Sequence, residues 1–169
     1  LQSLRTKIDP DGKSAVIFGA GGAARACAVE MALSGLSSIR VVNRDPSRGH
    51  TLVALINSKT KTKAVYQAWH GDYSVPDDVD IVVNATSIGL FPDIHARVAV
   101  NIETLRPSLV VADIIPNPPR TRFVGEALMR GCQVIDGLGM LVNQGVISIK
   151  YWTGVDVDAS VMRKTVEDI

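Results

Sequence analysis

Short apolar runs recur along the chain at regular intervals and are separated by longer amphipathic stretches. The runs are continuous rather than alternating and rich in Val and Ile, which is typical of strands buried on both faces of a parallel sheet. Six runs predict strands: Ala15–Phe18, Ile39–Val42, Ala64–Tyr66, Ile81–Val83, Leu109–Ala112 and Cys132–Ile135. Four stretches predict helices: Gly22–Ser34, Pro46–Asn57, Arg120–Arg130 and Met140–Trp152. Strand–helix alternation with short connections predicts an α/β fold, a doubly wound parallel sheet of about six strands in three αβα layers.

Two further amphipathic segments lie at the ends of the chain. Leu1, Leu4 and Ile8 share one face of a predicted first helix. A predicted last helix carries an apolar stripe formed by Val157, Val161, Met162, Val166 and Ile169. The pattern leaves two alternatives open: the helices pack against another domain, or they fold back on the edge of this sheet.

The composition narrows the class of protein. The 169 residues fit one domain, 1–169. A composition of 46% hydrophobic and 21% charged residues excludes a disordered chain. A formal net charge of +1 gives no excess of positive charge that would attract nucleic acid or an anionic membrane. Two cysteines, no long apolar run and no leader pattern predict a cytoplasmic protein. The three histidines are scattered, so we expect no metal site.

A glycine-rich turn follows the first predicted strand. Gly19-Ala20-Gly21-Gly22-Ala23-Ala24 matches the G-x-G-x-x-G/A pattern in the required strand–turn–helix context. Gly19 allows a sharp turn, Gly21 lets the backbone approach a pyrophosphate, and Ala24 keeps the helix close to the strand. The N–H groups that begin the helix attract phosphates. The segment therefore predicts a dinucleotide-binding Rossmann fold.

The end of the second strand indicates which dinucleotide is bound, because the residues there meet the 2′ position of the adenosine ribose. Arg44 lies where a 2′-phosphate would sit, and Arg48 follows one helical turn later, so the two guanidinium groups can clamp a dianion. Asp45 could instead hold a free ribose hydroxyl, or cap the helix that begins at Pro46. The pattern favours NADP over NAD and leaves NAD as the alternative.

Three further segments resemble the C-terminal nucleotide-binding domain of the shikimate/quinate dehydrogenase family. Asn84–Gly89 is similar to the family's N-A-T-S-x-G loop, and Asp113–Pro118 resembles its D-x-x-Y-N-P loop. Asp136–Gly145, followed by Trp152–Gly154, matches D-G-L-G-M-L-V-x-Q-G and W-T-G almost letter for letter. The resemblance covers essentially the whole chain.

This resemblance implies an enzyme function in aromatic amino-acid biosynthesis: NADP-dependent, reversible reduction of 3-dehydroshikimate to shikimate, or of a close analogue. It assigns the cofactor to Gly19, Ala20, Gly21, Gly22, Ala23, Asn43, Arg44, Arg48, Thr86, Ser87, Ile114, Gly137 and Met140. Gln144 is assigned to a hydroxyl of the substrate, a hydroxylated cyclohexene or cyclohexane carboxylate. Shikimate, quinate and an amino-substituted analogue remain open.

The chain departs from the family pattern in two ways. Pro116 replaces a tyrosine thought to touch the substrate, which weakens the case for shikimate itself and strengthens that for a related polyol acid. The family's catalytic lysine and aspartate belong to an N-terminal substrate domain that this chain lacks. We therefore expect no catalytic residue on this chain, an inactive fragment, and terminal helices that pack against that missing domain.

Two other classes of function compete with this interpretation. A non-catalytic nucleotide-binding or sensing module would share the glycine turn and would also lack the catalytic pair. An S-adenosylmethionine-dependent methyltransferase would need an acid at the end of the second strand, and Asn43-Arg44 argues against it.

Overall fold

The computed structural model describes residues 1–167 and contains a six-stranded parallel sheet. The strands are β1 (Ser14–Phe18), β2 (Ser38–Asn43), β3 (Lys63–Ala68), β4 (Ile81–Asn84), β5 (Val110–Asp113) and β6 (Gln133–Ile135). They lie in the order β3-β2-β1-β4-β5-β6, and each neighbouring pair is parallel. Each predicted strand overlaps an observed one, so the predicted doubly wound α/β fold is confirmed.

Helices flank this sheet and complete the layered arrangement. They are α1 (Gln2–Arg5), α2 (Gly22–Leu33), α3 (Pro46–Lys59), α4 (Arg122–Met129), α5 (Gly137–Thr153) and α6 (Ala159–Glu167), with a 3₁₀ turn at Ile102–Thr104. α5 begins three residues earlier than predicted because the Asp136 carboxylate caps it, accepting from the Gly139 N–H at 2.9 Å. α4 begins after Thr121, whose hydroxyl accepts from the Val124 N–H at 3.2 Å.

Two apolar clusters fill the spaces between the sheet and the helices. Successive residues of a strand point to opposite faces, so Ile17 of β1 joins one cluster with Ile39 and Ala28, while Phe18 joins the other with Phe123. The whole of β1 is buried. A strand buried on both faces is the physical reason for the continuous apolar runs of the sequence.

The strand order reverses between β1 and β4, which leaves a crevice at the carboxyl ends of these strands. The ladder continues into the loops there: Gly19 N donates to Val42 O at 2.9 Å, and Ala85 N donates to Phe18 O at 2.9 Å. These bonds fix the start of each loop that borders the crevice.

The two terminal helices pack against α5. Ser3 of α1 accepts a hydrogen bond from Asn143 at 2.9 Å, and Arg163 of α6 donates to Asp136 at 2.7 Å. The predicted helical faces are only partly right, because Ile8 follows the short α1 and Val157 precedes α6. Ile169 lies outside the described residues. No helix within residues 1–167 is long and apolar enough to cross a membrane.

Candidate functional site

The loop after β1 forms an open turn at the reversal of strand order. Gly19 has φ +103°, and a Cβ there would lie 2.7 Å from the Ala85 carbonyl oxygen, so a side chain is excluded. α2 begins at Gly22, after an N-cap residue, Gly21, that offers no side-chain cap. A Cβ at either glycine would meet nothing within 4 Å. The first N–H groups of α2 therefore border open space, where backbone donors and the helix dipole can bind a pyrophosphate.

The turn between β2 and α3 carries the residues predicted to bind the 2′-phosphate. The Asn43 amide donates to the Asp45 carbonyl at 2.9 Å, and Arg44 between them is exposed. The Asp45 carboxylate accepts from the Arg48 N–H at 3.2 Å and lies 3.5 Å from Arg48 Nε. Asp45 is thus the N-cap of α3, as the Asp-Pro pattern indicated, and its oxygens are engaged within its own helix.

A further arginine faces this turn. Arg25 of α2 and Arg48 of α3 line one cavity of about 140 Å³, together with Ser47 and Thr51. Arg25 directly follows the glycine-rich segment, and that motif does not itself place it beside Arg48. Its place opposite Arg48 depends on α2 and α3 lying side by side, which no local pattern shows. This cavity is lined by two arginines and by Ser47, which can donate to an anionic ligand, whereas the Thr51 hydroxyl donates to the Ser47 carbonyl at 2.8 Å.

Tyr66 of β3 supports the same turn and is not indicated by any sequence motif. Its hydroxyl donates to the Asn43 carbonyl at 3.0 Å, and that carbonyl also accepts from the Trp69 N–H at 3.2 Å. The Tyr66 ring lies 4.6 Å from the His50 ring, and Gly49 leaves no room for a Cβ against it. Strand pairing brings these residues together, so only the fold reveals this support.

The loop after β4 places Thr86 beside the glycine turn. A Cβ on Gly19 would lie 3.2 Å from Thr86 Cγ2. The Thr86 hydroxyl donates to the Asn84 side chain at 2.7 Å and accepts from the Ile88 N–H at 3.1 Å. Ser87, the other predicted residue of this loop, is exposed.

The loop after β5 begins with a buried acid. Asp113 accepts from the Thr121 hydroxyl at 2.7 Å, the Ile115 N–H at 3.1 Å and the Asn84 amide at 3.1 Å. Burial raises the pKa of Asp113, although these three hydrogen bonds act in the opposite direction. Ile114, predicted to lie near the nicotinamide, is half-buried next to this acid. The loop is therefore fixed at its first residue.

The N-terminus of α5 packs directly against that loop. A Cβ on Gly137 would overlap the Ile115 carbonyl. Met140, one turn further on, is 38% exposed and lines an apolar cavity of about 210 Å³ together with Ile114. Burial raises the pKa of Asp136, but hydrogen bonds from Arg163 and the Gly139 N–H and the Arg163 charge outweigh it, so the pKa is lowered.

Gln144 lies further along α5 and is exposed. It lines a groove between α5 and α1 that also includes Met140 and Gln2. It is not among the residues that line the cavity beside Ile114. Gly137 thus packs against the β5 loop, and Met140 lines the cavity beside that loop. Gln144 lines the neighbouring groove instead, and Met140 lines both the groove and the cavity.

Side chains that could bind a metal ion do not cluster in the part of the chain that the structure describes. Within residues 1–167, no group of three His, Cys, Asp or Glu side chains lies close enough to hold a metal ion.

Cys27 and Cys132 are both free thiols, and burial raises the pKa of each.

Comparisons with known proteins point to one family. The family model described as "Shikimate 5'-dehydrogenase C-terminal domain" matches residues 137–167. A shikimate dehydrogenase (NADP(+)) of Desulforamulus reducens is 39% identical over 159 residues, which cover 93% of this chain and 55% of that protein. The chain therefore spans little more than half the length of that relative.

Two solved structures share the fold over nearly the whole chain. A ligand-free 5-ketofructose reductase of Gluconobacter sp. strain CHM43 is similar with a TM-score of 0.95 and 53% identity, covering 99% of this chain and 60% of that one. A shikimate dehydrogenase in complex with NADP⁺ is similar with a TM-score of 0.87 and 37% identity, covering 99% of this chain and 58% of that one.

Proposed function

We propose that this chain, which belongs to the shikimate/quinate dehydrogenase family as its C-terminal domain, binds NADP(H) for the reversible reduction of a ketone to a secondary alcohol. When bound, the reduced nicotinamide would supply the hydride. The chain's own residues bind and orient the dinucleotide, and we place the groups that move the proton on an N-terminal substrate domain. The share of its relatives that the chain spans is consistent with such a partner domain.

The observation that carries the cofactor proposal is the open turn from Gly19 to Gly22 beside an arginine-rich 2′ site. The N–H groups at the start of α2 border free space, and Arg44 is exposed in the turn between β2 and α3. Arg25 and Arg48 add positive charge to the adjoining cavity. A dianionic 2′-phosphate fits this donor set, because guanidinium groups form charge-assisted pairs with phosphate.

The choice of NADP over NAD also rests on Asp45. In an NAD site, an acid at this place accepts the ribose hydroxyls. Here the Asp45 carboxylate caps α3 and pairs with Arg48 instead. The solved relative with NADP⁺ bound supports the same choice. We assign further cofactor contacts to Thr86, Ser87 and Met140, and the nicotinamide side to Ile114 and Gly137, as the family resemblance implies.

Our first candidate substrate is 3-dehydroshikimate, reduced to shikimate in aromatic amino-acid biosynthesis, since the relative from Desulforamulus reducens and one of the two solved structures are shikimate dehydrogenases. Gln144 is exposed on the groove between α5 and α1, where its amide can both donate to and accept from a substrate hydroxyl. The two free cysteines fit a reducing, cytoplasmic location.

A second candidate substrate is a keto sugar such as 5-ketofructose. Two observations favour it: the 53% identity to a 5-ketofructose reductase over 99% of the chain, and Pro116 in place of the family's tyrosine. Proline has no hydroxyl to offer a carboxylated ring. Both candidates are ketones that also carry hydroxyl groups, so they share the cofactor chemistry and differ in what recognises the rest of the substrate.

Two measurements test these proposals. Calorimetric titration of the purified chain should show binding of NADPH that is tighter than binding of NADH. The chain joined to its N-terminal substrate domain should oxidise NADPH with 3-dehydroshikimate or with 5-ketofructose, and the ratio of the two kcat/KM values assigns the substrate. The chain alone should turn over neither ketone.

Contrary results would be informative. Nucleotide binding without turnover of any ketone by the two-domain protein would favour a non-catalytic sensing module. Equal affinity for NADPH and NADH would contradict the 2′-phosphate assignment. Turnover by the isolated chain would show that a proton-transfer group exists on it.

A further inference from the structure

The carboxylate of Asp113 ties together two loops at the carboxyl ends of the strands. Asp113 itself is 2% exposed. Its Oδ1 accepts from Asn84 Nδ2 at 3.1 Å and from the Ile115 N–H at 3.1 Å. Its Oδ2 accepts from Thr121 Oγ1 at 2.7 Å. One side chain therefore bonds to the end of β4, to its own loop and to the start of α4.

These bonds extend outward on both sides. Thr121 Oγ1 also accepts from the Val124 N–H at 3.2 Å and so caps α4. Asn84 Oδ1 accepts from Thr86 Oγ1 at 2.7 Å and from the Thr86 N–H at 3.2 Å. A continuous series of hydrogen bonds thus runs from the N-terminus of α4, through Asp113, to Thr86 beside the glycine turn.

The carboxylate of Asp113 is buried without a counter-charge in the described part of the chain. Its hydrogen-bond partners are a hydroxyl, an amide and a backbone N–H, and within residues 1–167 no cationic group forms an ion pair with Asp113. A buried charge without a counter-charge is costly, and here hydrogen bonds from three separate segments offset that cost. Fully satisfied polar networks also specify one arrangement of the groups they join. What this network arranges is the pair of loops that carry Thr86 and Ile114.

We propose that Thr86 and Ile114 both border the nicotinamide half of the cofactor site, and that Asp113 is a positioning residue for this half, acting through Asn84 on Thr86 and through its own loop on Ile114. The adenosine half depends on different contacts, those of the glycine turn and the β2–α3 turn. The proposal rests on the NADP(H) function proposed above. It requires that loss of the network weakens the nicotinamide contacts and spares the 2′-phosphate contacts.

The test compares two ligands on the 169-residue chain. NADPH reports on both halves of the site, whereas 2′-phospho-ADP-ribose lacks the nicotinamide. In Asp113→Asn, the amide NH₂ meets Thr121 Oγ1, whose proton loses its acceptor. Calorimetry should show that the variant binds NADPH about tenfold more weakly, which corresponds to the loss of one hydrogen bond to a charged group. Its affinity for 2′-phospho-ADP-ribose should stay within about twofold of the wild-type value. The fluorescence of bound NADPH should shift toward that of free NADPH.

Three further variants separate positioning from general stability. Thr121→Val removes the hydroxyl and should reproduce the selective loss, while Thr121→Ser keeps it and should restore NADPH binding. Asp80→Asn is the matched control, because Asp80 accepts from the Ser14 N–H at 2.9 Å at the amino ends of the strands. It should leave both affinities unchanged. Amide hydrogen exchange should rise at residues 84–90 and 114–121 in Asp113→Asn, and not at residues 19–25.

Several results would overturn the proposal. If the variant loses affinity for both ligands equally, Asp113 has only a structural role. If it binds both ligands as the wild type does, Asp113 has no role in the site. Exchange that rises evenly across the chain would likewise indicate only a structural role. A wild-type chain that binds neither ligand would refute the cofactor site itself and this proposal with it, a result distinct from a wild type that binds and a variant that loses both.

Discussion

Gly137→Ala is the substitution whose consequence follows most directly from the packing of the site. Gly137 is the first residue of α5 and is buried against the loop after β5. An alanine Cβ would overlap the Ile115 carbonyl oxygen and lie 2.6 Å from the carbonyl carbon of Ile114. These are backbone atoms of a loop held by Asp113, so they cannot move as a flexible side chain would. The helix and the loop must move apart.

The expected cost comes from two opposing effects. Overpacking a close contact costs about 1–3 kcal/mol. Alanine is favoured over glycine within a helix by about 1 kcal/mol, and the first helical position gains at most that. We therefore expect a net loss of about 1–2 kcal/mol in the free energy of unfolding, or roughly 2–8 °C in Tm for a domain of this size.

Urea unfolding followed by circular dichroism measures this loss, and Gly125→Ala is the matched control. Gly125 lies within α4, where an added Cβ meets nothing within 4 Å. That variant should gain about 0.5–1 kcal/mol from helix propensity. Gly137→Ala should also bind NADPH more weakly, because Ile114 shifts with the loop. A Gly137→Ala protein as stable as the wild type, with unchanged NADPH affinity, would refute the packing argument.

Four other changes test separate parts of the site. Arg44→Ala should weaken NADPH by about 1.5–3 kcal/mol and NADH far less in calorimetry, the loss expected of a charged hydrogen bond to the 2′-phosphate; equal losses would exclude Arg44 as its ligand. Tyr66→Phe should lower the ratio of NADPH to NADH affinity about twofold to tenfold, because one hydrogen bond that holds the Arg44 turn is lost; an unchanged ratio would remove Tyr66 from the site. The lowered pKa of Asp136 means that its bond to Arg163 stabilises the fold above the unfolded-state pKa and is lost as the pH falls through the folded-state value. Unfolding measured from pH 5 downward should show this loss in the wild type and not in Asp136→Asn. In the two-domain protein, Gln144→Ala should raise KM or lower kcat with NADPH affinity nearly unchanged; a selective loss of NADPH affinity would place Gln144 in the cofactor site.

The strands and most helices could be predicted because their signals are local. β1 and β4 are continuous apolar runs in a sheet covered on both faces, and Asp45-Pro46 marks the start of α3 by its capping chemistry alone. The start of α5 was harder to predict, since Gly137 and Gly139 resemble a loop by composition. The Asp136 cap and the contact with Ile115 override that low helix propensity.

The ends of the chain show where periodicity misleads. Ile8 has the right spacing for α1, but the next residues are Asp9 and Pro10, and a residue before proline is disfavoured in the helical conformation. Val157 fits the stripe of the last helix. Gly154, with φ +73°, ends α5 just before it, and Asp158 accepts from the Ser160 N–H at 2.7 Å to begin α6. Caps and left-handed glycines, not spacing, set these boundaries.

Some residues of the candidate site could be predicted from local motifs, and others are brought together only by the fold. The glycine turn is a local motif, so the sequence predicts it. Tyr66 reaches Asn43 across a strand pair, and Asp113 reaches Thr121 across a loop, at 3.0 and 2.7 Å. Such contacts depend on topology, and no spacing in one sequence distinguishes them from other polar pairs.

The β5 loop is anchored by hydrogen bonds on both sides of position 116. Pro116 lies between two anchored neighbours: the Ile115 N–H donates to Asp113, and the Asn117 carbonyl accepts from the Phe91 N–H at 3.2 Å. Pro116 has no N–H, and the two anchors of the loop are hydrogen bonds of the residues on either side of it, so they do not depend on a donor at position 116. Under the proposed function, the residue facing the substrate can therefore change while Asp113 keeps the cofactor loops in place. That separation is the physical reason to expect a shared cofactor and a substrate that differs between members of the family.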